Sequence, residues 1–279
     1  MYFSKISFIT VLTFALLLGA CQKENTSPQS VSESTLSVAT EVSENEGMFD
    51  DVAFLTDEQC DKAFKGEQDE TEDCPTRTWL YDLGTFPNTL TIDFGDACTN
   101  AKGITRSGQI VITVSDLPQN AGATRTTTLN NYYVDGRHIE GTRTWTNNGA
   151  DENGNPSFTE TLSGGVITFE DGSQNTWESS HTVSQIAGND TDYFMDDMMQ
   201  ITGGASGTNK DGISFLSEIT TPLIKKRACP WIVSGVRSIT LSDGNSRSLD
   251  YGDGTCDRDA ILTVNDEAPV MIKLHRAWH

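Results

Sequence analysis

Beyond its first twenty residues the chain has no long apolar run, few basic side chains and no CxxC pair, and each shortage excludes something. A membrane-spanning helix needs roughly 20 consecutive apolar residues, so no later segment is expected to span a bilayer as a helix. Only 19 Lys and Arg stand against 40 Asp and Glu, a formal net charge of −21. So acidic a surface repels phosphate backbones, which argues against nucleic acid as a partner, and anionic headgroups, which argues against a protein surface as the membrane contact. Without a CxxC pair a structural zinc site is not expected. The four histidines, His138, His181, His275 and His279, are scattered. GGASG at 203 to 207 does not fit the G-x-S-x-G nucleophile elbow, so no catalytic residue is assigned, no enzyme activity is read and no cofactor is expected.

What is present begins with an export signal over residues 1–20. Lys5 is followed by an uncharged apolar stretch from Ile6 to Leu18 and then by small residues. Gly19 and Ala20 suit an ordinary secretory signal, but Leu18-Gly19-Ala20-Cys21 also resembles the lipobox of bacterial lipoproteins, whose cysteine is acylated and becomes the new N-terminus. That resemblance implies a lipid anchor at Cys21. A single acyl chain holds a protein only reversibly, at about 0.8 kcal/mol per buried CH₂, so the several chains of a bacterial lipoprotein imply firm attachment. Gln22-Lys23-Glu24-Asn25 resembles the surface-export signal of Bacteroidota lipoproteins, a lysine followed by acidic residues, although only one acidic residue follows Lys23 directly. The implied location is the outer membrane, facing the cell exterior.

Residues 21–47 pair the lipidated cysteine with a stretch rich in Ser, Thr, Glu and Asn, too poor in large apolar groups to offset its ordering entropy, and read as a flexible tether. Residues 48–73 read as an acidic linker. Within it, Phe49, Val52, Ala53, Leu55, Cys60, Ala63 and Phe64 are spaced for one short helix, with Thr56-Asp57-Glu58 as its cap. Charge is concentrated here: residues 22 to 73 hold fifteen acidic and three basic side chains.

From residue 74 to 279 the chain reads as an all-β, large antiparallel meander, a curved sheet, half-barrel or sandwich built of hairpins. Leu90, Ile92 and Phe94 alternate with polar residues, as do Ile110, Ile112 and Val114. Asp135-Gly136, Asp171-Gly172, Asp211-Gly212 and Asp243-Gly244 are hairpin turns. Several strands are polar on both sides. Ile139, Gly141, Arg143 and Trp145 share one face against Glu140, Thr142, Thr144 and Thr146, and Trp177, Ser179, His181 and Val183 share another. The expectation is one wide face open to water and dotted with aromatics, since a sheet covered on both sides shows continuous apolar runs. Arg143, Trp145, Trp177 and His181 are its candidate binding residues; packing in the core or at its rim is the plainer account of the tryptophans.

The strongest internal signal is a repeat. Cys74-Pro75 precedes TIDFGDAC ending at Cys98, and Cys229-Pro230 precedes SLDYGDGTC ending at Cys256. The repeat suggests disulfides Cys74–Cys98 and Cys229–Cys256, with Cys60 outside both; the alternative is that all five are small buried residues. Asp250, Asp253, Asp257 and Asp259 crowd one loop and are minor calcium candidates, without EF-hand spacing.

NYYVDGRHIEGTRTWTNNG, ITTPLIKKRACPWIVSG and LDYGDGTCDRDAILTV resemble stretches in a group of uncharacterised Bacteroidota envelope lipoproteins, over nearly all of residues 74 to 274. The resemblance implies the same fold and location and carries over no catalytic residue. Two functions are therefore expected to compete. One is a non-catalytic binding module for a glycan or an envelope protein, and the other a periplasm-facing carrier of a lipid-like ligand in a β half-barrel.

Overall fold

A computed structural model describes residues 33–64, 74–191, 193–265 and 267–274. Residues 1–32, which include the stretch read as an export signal and Cys21, and the acidic run 65–73 lie outside the described residues. Among those described, no helix is long and apolar enough to cross a membrane.

The described chain is a helix and one 14-stranded antiparallel sheet. Helix α1 spans Glu33–Phe64. The strands are β1 (Thr76–Trp79), β2 (Asn88–Asp93), β3 (Cys98–Thr99), β4 (Thr105–Val114), β5 (Thr124–Val134), β6 (Arg137–Ala150) and β7 (Pro156–Thr168). They continue as β8 (Gln174–Ala187), β9 (Met198–Thr208), β10 (Ser214–Lys226), β11 (Ile232–Leu241), β12 (Ser246–Asp253), β13 (Asp259–Val264) and β14 (Val270–Lys273). Each pairs with its neighbour in sequence, except that β2 pairs directly with β4 and short β3 flanks β4. This is the expected meander. All four Asp-Gly pairs sit at hairpin tips, and at Asp135-Gly136 both residues take positive φ, 45° and 79°, as a type I′ turn requires.

The sheet is curled around α1, and the ion pairs prove it. Glu46 on the helix binds Arg237 of β11, while Asp51 binds Arg106 of β4. Five residues of helix cover about 7.5 Å. In a flat sheet β4 and β11 would lie seven strand spacings apart, about 34 Å. One short stretch of helix reaches both only if the sheet wraps it. β-Bulges supply part of the bend. At one of them Gly108 has φ 78°, and an added Cβ would lie 1.9 Å from the Asn131 carbonyl oxygen, so only glycine fits.

Two apolar clusters result. The larger joins Met48, Phe49, Val52 and Cys60 of α1 to residues from β2 through β11, including Ile110, Tyr132, Ile139, Trp177 and Phe215. The smaller, at the other end of the sheet, holds Leu223, Leu249, Tyr251, Ala260 and Leu262. Both predicted disulfides are present, Cys74–Cys98 and Cys229–Cys256, each with Cα atoms 5.8 Å apart. Cys60 is buried and joins neither. The repeat is structural as well as sequential: Asp93 and Asp250 each accept a hydrogen bond from the backbone N–H two residues on, at 2.8 and 2.9 Å.

Three expectations change. The helix begins at Glu33, inside the stretch read as a tether, and continues without a break through the predicted short helix. Nucleation is the costly step of helix formation. Once Asn45, Met48, Phe49 and Val52 are held against the sheet, extension toward Glu33 adds a backbone hydrogen bond per residue without needing an apolar face. Thr56 is not a cap, because it lies in mid-helix and its hydroxyl donates to the Val52 carbonyl at 2.8 Å. The third change concerns the aromatic-dotted face.

Candidate functional site: the cavity beneath the helix

The residues read as an open binding face point inward. Strand register places Arg125, Trp145, Glu160, His181 and Gly203 in one transverse row across β5 to β9. The next row runs Thr127, Arg143, Leu162, Ser179 and Ala205. Alternation had grouped these side chains correctly but not their exposure. Helix α1 lies against this face, and the opposite face is the one carrying Glu140, Thr142, Thr144 and Thr146. Trp177 is 2 % exposed and packs on Phe215 with ring centroids 5.0 Å apart. Trp145 is stacked on Phe158 at 5.1 Å, and the Arg125 guanidinium sits 5.0 Å from its ring centre. Both indoles are packed, as the plainer account of the tryptophans expected, and neither is an open binding platform.

Between α1 and strands β5 to β8 lies a cavity of about 50 Å³. Its helical wall carries Glu46, Phe49, Asp50 and Ala53, residues spaced to share one side of a helix. The sheet wall contributes Thr127, Leu129, Arg143, Glu160, Leu162 and His181. Gly165 lets the helix sit this close: a Cβ there would lie 2.4 Å from the Trp177 carbonyl oxygen and 3.1 Å from the Phe49 ring.

Arginines reach acids of the helix from β4, β5, β6 and β11, and Arg77 of β1 donates to its Gln59. Arg106 donates two hydrogen bonds to Asp51, at 2.7 and 2.8 Å, with both side chains 5 % exposed. Arg125 binds Asp57 at 2.5 Å, and Arg237 binds Glu46 through both of its terminal nitrogens. Arg143 Nη2 pairs with Glu160 at 3.0 Å, while its Nη1 is 3.7 Å from Asp57. Burial works against the charge on Glu46, but the Arg237 cation and hydrogen bond outweigh it and hold the carboxyl below the usual range. Burial keeps the His181 imidazole below its ordinary pKa, so it is neutral at pH 7.

Two kinds of group in the cavity wall are left over. Thr127 Oγ1 and Arg143 Nη1 are buried and have no hydrogen-bond partner among the described residues. Asp50 makes no hydrogen bond or close ion pair with any described residue. Burial, then the Glu46 and Glu160 carboxylates, push its pKa up to about 7. Its own surface is open to water at the cavity mouth while protein encloses it on the sides, so solvent screening moderates that rise.

The loop carboxylates read as minor calcium candidates do not converge. Asp250, Asp253 and Asp257 each accept from a backbone N–H two residues on, and Asp259 binds Lys273. Among the described residues no three His, Cys, Asp or Glu side chains are grouped to hold a metal ion. Sequence reasoning missed Asp50, Thr127, Glu160 and the arginines Arg106, Arg125 and Arg237. One signal was available: in Val233, Gly235, Arg237, Ile239 and Leu241 an arginine occupies an inward position of an apolar alternation, and a cation there needs a carboxylate from another element.

Comparison with other proteins yields no match to a family model, to a curated protein or to a solved structure.

Proposed function

We propose that the chain is a lipid-anchored envelope lipoprotein, tethered through Cys21 to the outer membrane and facing outward, whose β domain is a non-catalytic binding module. The signal-like residues 1–20, the cysteine after them and the resemblance to Bacteroidota lipoproteins support the anchor. The observation that carries the binding function is the cavity beneath α1, where buried polar groups without partners, Thr127 Oγ1 and Arg143 Nη1, border an apolar lining. A buried donor without an acceptor costs free energy, and a ligand supplying that acceptor recovers it.

Ion pairing supports binding over proton transfer. Glu46 and Glu160, which bear on Asp50, are already occupied by Arg237 and Arg143, and Asp50 itself has no nucleophile or second acid hydrogen-bonded to it among the described residues with which to move a proton. A lipid carrier needs an aliphatic interior, whereas here α1 and four arginines fill the half-barrel. The partner is therefore a small polar molecule, or the end of a larger glycan or envelope protein, presented at the cavity mouth.

The anchor is tested by fractionating cells expressing Cys21→Ala: the variant is expected in the soluble fraction, and unchanged membrane retention rejects the anchor. For the module, the purified lipidated protein in detergent is titrated with small polar ligands and its thermal unfolding followed. Stabilisation by one class, lost when Leu162→Trp fills the cavity, is expected. A melting temperature unmoved by every class rejects the reading.

A further inference from the structure

We infer that the cavity beneath α1 receives a zwitterion, an ammonium group standing beside a carboxylate or carbonyl oxygen, as in a free α-amino acid or the amino terminus of a peptide. This rests on the reading of the chain as a binding module.

Two shortages of opposite kind meet in one small space. On the sheet side, Thr127 is 1 % and Arg143 8 % exposed, and Thr127 Oγ1 and Arg143 Nη1 have no hydrogen-bond acceptor among the described residues, the nearest carboxylate to Nη1 being Asp57 at 3.7 Å. They can donate side by side to a ligand oxygen, since Thr127 and Arg143 are cross-strand partners. On the helix side one carboxylate, Asp50, has no cation hydrogen-bonded to it among the described residues, although Arg237 and Arg143 lie near enough to oppose the rise in its pKa. Glu46 is taken by Arg237, Asp57 by Arg125, and Glu160 by Arg143. Asp50 is the fourth acid beside three guanidiniums, and His181 is neutral.

Simpler ligands satisfy only half of this arrangement. A bare amine would neutralise Asp50 but leave the buried donors unmet. A bare carboxylate would meet the donors but face Asp50, Glu46 and Glu160. A neutral polyol would leave the surplus charge where it is. A zwitterion places its oxygen on Thr127 and Arg143 and its ammonium on Asp50. Leu129, Leu162 and Phe49 line the remainder with apolar surface suited to a short aliphatic side chain.

The test is calorimetric titration of the purified lipidated protein in detergent at pH 8. The probes are glycine, L-alanine, L-alanyl-L-alanine, N-acetyl-L-alanine, ethylamine, propionate and glucose. L-Alanine is expected to bind at least tenfold tighter than N-acetyl-L-alanine, ethylamine or propionate, and glucose to give no heat. Binding of the dipeptide as tightly as alanine identifies a peptide terminus entering through the mouth; its exclusion identifies a free amino acid. Thr127→Val and Asp50→Asn, both checked for cooperative unfolding, are each expected to weaken alanine at least tenfold. Equal or tighter binding of ethylamine, N-acetyl-L-alanine or glucose overturns the zwitterion while leaving a binding module standing, as does alanine affinity indifferent to Asp50→Asn. No heat from any probe overturns both.

Discussion

The two ends of the sheet start from nearly the same sequence and finish in different surroundings. At one end, Asp93-Phe94-Gly95-Asp96 turns after β2, the Cys74–Cys98 bridge closes the hairpin, and Phe94 packs against Tyr132 in the core shared with α1. At the other, Asp250-Tyr251-Gly252-Asp253 makes the same aspartate turn beside the Cys229–Cys256 bridge, but Tyr251 enters a small aliphatic cluster that the helix does not join. Burial raises the pKa of both Tyr132 and Tyr251. Local sequence therefore dictates the turn and the bridge at each end. The helix dictates what lies further out: the part of the sheet it covers carries the arginines paired with its acids and the cavity beneath it.

The sharpest way to break this contrast is to remove a charge under the helix. Asp51→Ala leaves Arg106 buried without its counter-ion, which is expected to cost about 3 to 5 kcal/mol of stability in urea unfolding. Hydrogen exchange should quicken first in β4 to β6 while β12 and β13 keep their protection. A uniform loss across the sheet would mean that the two ends unfold as one unit. Removing the bridges tests the likeness instead of the difference. The cysteines are separated by 24 and 27 residues, so each bridge is worth about 3 to 4 kcal/mol on the chain-entropy model. Serine pairs at either end should lower the denaturation midpoint by similar amounts, and a cost confined to one end would refute the equivalence.

Smaller effects probe the cavity itself. Thr127→Val keeps the shape and deletes a buried hydroxyl that has no partner among the described residues, so the ligand-free protein is expected to gain about 1 kcal/mol. A loss instead would show that the hydroxyl is satisfied without ligand.

The pH dependence of Asp50 is the smallest. Its folded pKa, raised to about 7 from an ordinary value of 3.8, means that between these limits the unfolded chain holds fewer protons there than the folded one. Its contribution to stability is therefore present in full below the lower limit and lost as pH rises through the upper. Asp50→Asn should stabilise the protein at pH 8 by no more than about 1 kcal/mol, after allowance for the open mouth, and hardly at all at pH 4. An equal effect at both values would rule out its titration as the cause.

Much of the fold was legible because its signals are short-range. Alternation in Leu90 to Phe94 and Ile110 to Val114 marks strands, Asp-Gly pairs mark hairpins, and the duplicated cysteine spacing marks both bridges. Even the inward grouping of Arg143 with Trp145, and of Trp177 with His181, follows from a period of two residues. What failed was the exposure of that face. Its polarity was read as contact with water, whereas Arg143 meets Glu160 and the carboxylate of Asp57. A charged side chain opposite a counter-charge is as polar in sequence as one in solvent, and the counter-charges lie 68 residues before Arg125 and 191 before Arg237. For the same reason residues 33–47 looked like a tether: their few apolar groups give no hint that a wall of arginines waits for the acids.

By itself, then, the chain's residue pattern determined an acidic antiparallel meander with two disulfide-closed hairpins of one design, because pleat, turn and loop closure are decided among neighbours. Only the tertiary structure decided that the sheet curls, that α1 fills the curl, and that Asp50, Thr127 and Arg143 face one another across a cavity. Those outcomes depend on pairing charges far apart in sequence, and a buried ion has to find its partner in space.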